Sequence, residues 1–203
     1  MSIAEEIIHK HRIEKETYRG TNPIVFIIWL IAISSCMFFA GLTSAYIVRK
    51  AEGNWLEFDL PTMFTVSTII IVLSSVSMQL SYFYTKRDNI SLSQLFTATT
   101  LFLGVLFLYT QFLSFKEIYN YDYRVVFGGK QSNPSGSFLY VFAISHGVHI
   151  LLGLIFLLIT LVLTILNLVH SKEMLWMQIS TTFWHFIGGL WIYLFIFLVF
   201  NHL

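Results

Sequence analysis

The chain has 203 residues, of which 56% are hydrophobic and 11% charged, and its 12 basic and 11 acidic side chains leave a formal net charge of +1. Soluble domains are about one quarter charged, so this composition excludes a water-soluble globule, and with it a disordered, collagen-like or disulfide-built chain. Near-neutrality excludes the basic surface that would neutralise a phosphate backbone, so no nucleic-acid partner is expected.

Residues 1–23 form a polar N-terminal segment carrying Glu5, Glu6, Lys10, Arg12, Glu14, Lys15, Glu16 and Arg19. The apolar run that follows is too long for a secretory h-region of about 7 to 15 residues, which favours a retained span over a cleaved signal. A short polar helix ending near Gly20 is expected, with Asn22-Pro23 as the start signal of the first span. Residues 24–203 then read as a single all-α domain, a polytopic membrane bundle of five transmembrane helices.

Five stretches lack Asp, Glu, Lys and Arg and are long enough for about 30 Å of hydrocarbon: 24–48, 62–84, 91–115, 138–166 and 174–200. The first contains Cys36, which as the lone cysteine has no intrachain disulfide partner. Loop 49–61 offers Trp55 as an interface anchor and Asp59-Leu60-Pro61 as a helix start. In the second span Ser67, Ser74 and Ser81 recur every seven residues, which puts small side chains on nearly one face. Span one offers Ser34, Ser35, Ala40, Gly41, Ser44 and Ala45, and span five Gly188-Gly189, as further small faces for a helix of the same or another chain.

The longest loop, 116–137, holds Tyr119, Tyr121, Tyr123, Gly128-Gly129 and Asn133-Pro134 and reads as a turn-rich interfacial segment. Spans four and five should pair as an antiparallel hairpin across a turn containing His170, Ser171, Lys172 and Glu173. With the N-terminus inside and the C-terminus outside, seven basic residues (Lys10, Arg12, Lys15, Arg19, Lys86, Arg87, Lys172) lie inside. Five (Arg49, Lys50, Lys116, Arg124, Lys130) then lie outside, and the positive-inside rule selects that orientation.

An autonomous pump or channel commonly keeps acidic or basic residues at membrane depth, and the five stretches contain no Asp, Glu, Lys or Arg. His146 and His149 share a face of span four, and His149 and His185 lie within about 7 Å in depth. A haem or nitrogen-ligated metal is geometrically conceivable there. Such a centre normally has a carboxylate or carbonyl orienting each ring, and no carboxylate lies at depth, which favours packed, hydrogen-bonded histidines. Gln111 and Gln178 read as helix–helix hydrogen-bonding groups, and Trp176, Trp184 and Trp191 as packing residues.

Three stretches together resemble the subunit III family of haem-copper respiratory oxidases. Ile33 to Tyr46, with Met37-Phe38-Phe39, is similar to that family's glutamate-containing helix. Gly136-Ser137-Phe138 followed by His146-Gly147-Val148-His149 and Gly153 is similar to its Gly-Ser…His-Gly-x-His…Gly element, and Phe183-Trp184-His185-Phe186 with Trp191 to its last-helix signature. The resemblance covers about 25–200 and is to a five-helix version lacking the family's first two helices.

It implies a non-catalytic accessory subunit with no active site or cofactor of its own, haem and copper residing in partner subunits. Such a chain would pack on catalytic subunit I, hold phospholipid and support proton uptake in a bacterial inner membrane. His146, His149, Trp184 and His185 match the family pattern and are the candidates for lipid or subunit contact. Ser35 stands where the family commonly has glutamate, and Gly188 where it commonly has aspartate, so roles of those carboxylates do not transfer. The electron donor, cytochrome c or a quinol, is left open. The competing readings are a stand-alone transport or assembly factor and a membrane cytochrome using His146, His149 or His185.

Overall fold

A computed structural model describes residues 22–53, 62–122, 134–169, 171 and 173–202. The polar segment 1–21, Trp55 and Asp59-Leu60-Pro61, the 123–133 loop, and His170 and Lys172 lie outside the described residues. The helices are α1 (Pro23–Ala51), α2 (Thr62–Lys86), α3 (Ile90–Asp122), α4 (Pro134–Ile165) and α5 (Leu175–His202). All five are long and apolar enough to cross a membrane. The shortest has 25 residues, about 38 Å at 1.5 Å per residue.

Local chemistry sets the helix ends. The Asn22 side chain accepts from Ile24 N–H at 3.1 Å with Pro23 at the first helical position, as the Asn-Pro signal predicts. Asp88 and Asn167 both take φ of 56°, and the next residue in each case bonds back five positions, Asn89 N to Tyr84 O at 3.0 Å and Leu168 N to Leu163 O at 2.9 Å. Asp and Asn tolerate this left-handed geometry, so they close α2 and α4 where glycine is more usual. The main correction concerns the loop expected over 116–137. Helix α3 continues to Asp122 and α4 begins at Pro134, because a helix need not stop where hydrocarbon does and its backbone bonds persist into the interface.

The seven-residue spacing of the α2 serines extends through that helix and its neighbours. Phe64, Ser67, Ile71, Ser74, Met78, Ser81 and Thr85 are the buried stripe of α2, and Met177, Ser180, Trp184, Ile187, Trp191, Leu194 and Leu198 that of α5. Alternating steps of three and four residues are those of left-handed helix packing. Much of the stripe on α2 and α3 is hydroxylated, whereas Phe102 and Phe112 of α3 point outward at 67% and 66% exposure. Lipid tails are as apolar as leucine, so burial of large apolar side chains drives little association in a bilayer; close approach and interhelical hydrogen bonds do.

Accordingly α2 packs most extensively on α3. Ser81 Oγ lies 2.6 Å from Thr97 Oγ1, Thr85 Oγ1 2.6 Å from Ser93 Oγ, and Ser77 Oγ donates to Phe96 O at 3.0 Å. Thr160 and Ser180 hydroxyls, 2.6 Å apart, join α4 to α5, which confirms the expected pairing of spans four and five. Helix α5 also meets α2, completing a ring of α2, α3, α4 and α5, and α1 rests outside on α4 and α5. There Tyr46 of α1 is fully buried against Phe138 and Phe142 of α4 and Phe197 of α5. Most small residues of α1, Ser34, Ala40, Gly41, Ser44 and Ala45, face outward, whereas Ser35 is buried.

Candidate functional site

The two tryptophans seven residues apart on α5 organise the interior. Trp184 lies so close to α3 and α4 that a methyl added at Gly104 would meet its Cη2 at 2.6 Å, and one at Gly153 its Cε3 at 3.1 Å. Its Nε1–H donates to Ser74 Oγ of α2 at 3.1 Å, so the indole reaches all three other helices of the ring. Trp191, one heptad on, stacks on Phe64 and meets Phe107 edge-on, and its Nε1–H donates to Thr68 Oγ1 at 3.0 Å.

His146 closes this layer from α4. It is 1% exposed, with ring centroids 5.1 Å from Trp191 and 6.0 Å from Phe107. One helical turn along α3, Gln111 is 7% exposed and its Nε2 donates to Ser67 Oγ at 2.7 Å, the interhelical bond expected of that residue.

His149 faces a different neighbour. The Ser145 carbonyl can only accept, so Nδ1–H donates to it at 2.7 Å; in the uncharged ring Nε2 then accepts from Ser35 Oγ of α1 at 2.9 Å. Ser35 Oγ also lies 2.8 Å from Ile31 O, so two acceptors share one hydroxyl proton. Phe39 packs beside the imidazole at 5.6 Å. Ser35, one of the two departures from the family pattern, thus helps to tie α1 to α4. Gly188, the other, faces α2, where an added Cβ would meet Ser75 Oγ at 3.1 Å; glycine there permits close approach of α5 to α2.

His185 faces a third environment. It is half-buried on the outer face of α5, where its Nε2–H donates to Gln79 Oε1 of α2 at 3.0 Å. Helices α1 and α2 flank α5 here, and the cleft between them is floored by Gln178, Thr182, His185 and Gly189, successive members of one helical stripe. Two adjoining hollows of about 380 and 500 Å³ both touch His185. Trp29, Gln79 and Tyr82 line the first, and Cys36, Phe39 and Tyr193 the second. Gln79, Tyr82 and Thr182 escaped the sequence reading; the signal available was the spacing of Gln178, Thr182 and His185 by four and three.

The three imidazoles therefore diverge, His146 into the ring, His149 toward α1 and His185 into the cleft. Among the described residues no three His, Cys, Asp or Glu side chains come together as a metal site. At one end of the bundle, Lys50 Nζ donates to Asn201 O, joining α1 to α5. At the other, the Asp88 carboxylate accepts from Ser171 N at 2.8 Å and from Ser171 Oγ at 2.6 Å, clipping the α2–α3 turn to the segment before α5.

No protein-family model matches the chain. It is 29% identical over 198 residues to the cytochrome bo(3) ubiquinol oxidase subunit 3 of Buchnera aphidicola subsp. Schizaphis graminum, covering 92% of this chain and 97% of that relative. It is 30% identical over 178 residues to a probable cytochrome c oxidase subunit 3 of Mycobacterium tuberculosis, covering 83% and 82% respectively. A probable cytochrome c oxidase subunit 3 of Nocardia farcinica is 31% identical over 177 residues, with the same coverage of each chain.

Proposed function

We propose that this chain, which belongs to the cytochrome oxidase subunit III family, is the non-catalytic accessory subunit of a haem-copper terminal oxidase in a bacterial inner membrane. It packs against catalytic subunit I, holds phospholipid along its apolar outer surface, and supports proton uptake by the subunit that reduces oxygen. The observation that carries this reading is likeness to such subunits across the whole bundle, including more than four fifths of each relative's length.

Within this reading His146 and Trp184 act inside the bundle, holding α3, α4 and α5 in register. His149 holds α1 against α4, and His185, half-buried in the cleft beside α1, is the candidate for contact with lipid or a neighbouring subunit. Purification in mild detergent through a tag on this chain, with subunit mass spectrometry and a reduced-minus-oxidised spectrum on the same sample, tests the assignment. A much larger haem-bearing subunit should copurify, and this chain, once separated, should carry no haem. Recovery of the chain alone and colourless would overturn the oxidase role.

A further inference from the structure

We propose that the cleft between α1 and α2 binds a neutral, hydrogen-bonding head group carried on an apolar tail, of the quinone and quinol class. The α5 stripe that floors the cleft is polar from one end to about a third of the helix length. Gln178 and Thr182 are exposed and His185 half-buried, and His185 lies ten residues into the helix that starts at Leu175, about 15 Å along it. Gln79, seven residues before the end of α2 at Lys86, meets it there and is itself exposed. An amide facing hydrocarbon with its hydrogen-bonding capacity unfilled is expensive, so an exposed Gln–His pair at this depth calls for a polar occupant.

The donor and acceptor inventory defines that occupant. The pair's internal bond uses His185 Nε2–H and Gln79 Oε1, which leaves two amide N–H donors and, on the uncharged ring, Nδ1 as an acceptor. A quinone carbonyl accepts from the amide, and a quinol hydroxyl can in addition donate to Nδ1. Trp29 and Tyr82 supply aromatic walls, and Ile28, Ile179 and Val25 an apolar lining for a tail. Among the described residues lining the cleft none is charged. A phosphate head would have to bring its charge to this depth without a cation to meet it, which is strongly disfavoured, whereas an uncharged ring enters without that cost. The inference concerns binding only and needs the spanning fold rather than the oxidase partnership, so the two can fail separately.

The test uses membrane discs excised from cells with an amphipathic polymer and captured through a tag on this chain, so that whatever it assembles with is retained. A short-tailed azido-benzoquinone is photolysed in the discs and its cross-links are mapped by mass spectrometry. Labelling should fall near Gln79 and His185 and be displaced by unlabelled quinone. It should drop about five-fold in Gln79→Met and in His185→Leu, the loss expected for one hydrogen bond, and stay unchanged in Phe102→Leu on the far side of α3. Gln79→Met keeps the length of an exposed side chain and preserves the bundle, so it decides the case if His185→Leu expresses poorly. Unchanged labelling in Gln79→Met would overturn the proposal. So would displacement by phosphatidylethanolamine and not by quinone, which would assign the cleft to phospholipid.

Discussion

Single residues in this bundle matter according to how near a second helix lies. A methyl group added at Gly104 would meet Trp184 Cη2 at 2.6 Å and Leu154 Cδ2 at 2.7 Å, while one at Gly41 would meet nothing within 4 Å. Gly104→Ala should therefore destabilise the bundle by about 2 kcal/mol through overpacking, and Gly41→Ala should be neutral or slightly stabilising, since alanine is the better helix former. Unfolding in a graded detergent–SDS series separates the two, and equal midpoints would mean that the Trp184 indole relaxes freely. Sequence showed that these glycines exist but not which one carries a neighbour, because that depends on a tryptophan 80 positions away. The same holds for Ser35 and Gly188. In sequence they are losses of acidic groups; in three dimensions one anchors His149 and the other lets two helices touch.

At the scale of the helix, the period was legible and the ends were not. Three serines spaced by seven in α2 already displayed the contact stripe, because a heptad repeat keeps a seam facing its partner. Helix α3 runs past Lys116 and Glu117 to Asp122, and α4 begins at Pro134, before the apolar run at Phe138, because hydropathy marks where water begins and not where helical bonding stops. Sequence also left open which helix would be peripheral. Among the described residues helix α1 rests chiefly on α4 and α5, and His149 of α4 contacts both Ser35 and Phe39. Replacing His149 with alanine should loosen α1 by about 1.5 kcal/mol, the sum of a membrane-buried hydrogen bond and a lost ring contact. Under the proposed oxidase role this should appear as lower complex yield, lipid content and turnover lifetime, with unaltered haem spectra. Normal values of all three would remove His149 from any role in assembly or lipid retention.

For the whole molecule, the ends sort into two sets. Lys50 bound to Asn201 places the ends of α1 and α5 together, and Asp88 bound to Ser171 places the α2–α3 turn with the segment before α5. Basic residues at the described helix ends do not choose a side, since Arg49, Lys50 and Lys116 lie at one end and Lys86 and Arg87 at the other. The positive-inside bias therefore rests on Lys10, Arg12, Lys15 and Arg19 of the N-terminal segment. We expect the Lys86 end inside and the Glu52 end outside. Because Cys36 is the only cysteine and faces outward in α1, Cys36→Ser should give a quiet background for labelling. In that background Glu52→Cys should react with a membrane-impermeant maleimide in intact spheroplasts, and Lys86→Cys only after lysis. The reverse pattern would invert the topology. Changing Lys10, Arg12, Lys15 and Arg19 together to glutamine should produce a mixed population, since the remaining basic residues, Lys86, Arg87 and Lys172 against Arg49, Lys50, Lys116, Arg124 and Lys130, favour the opposite side by two.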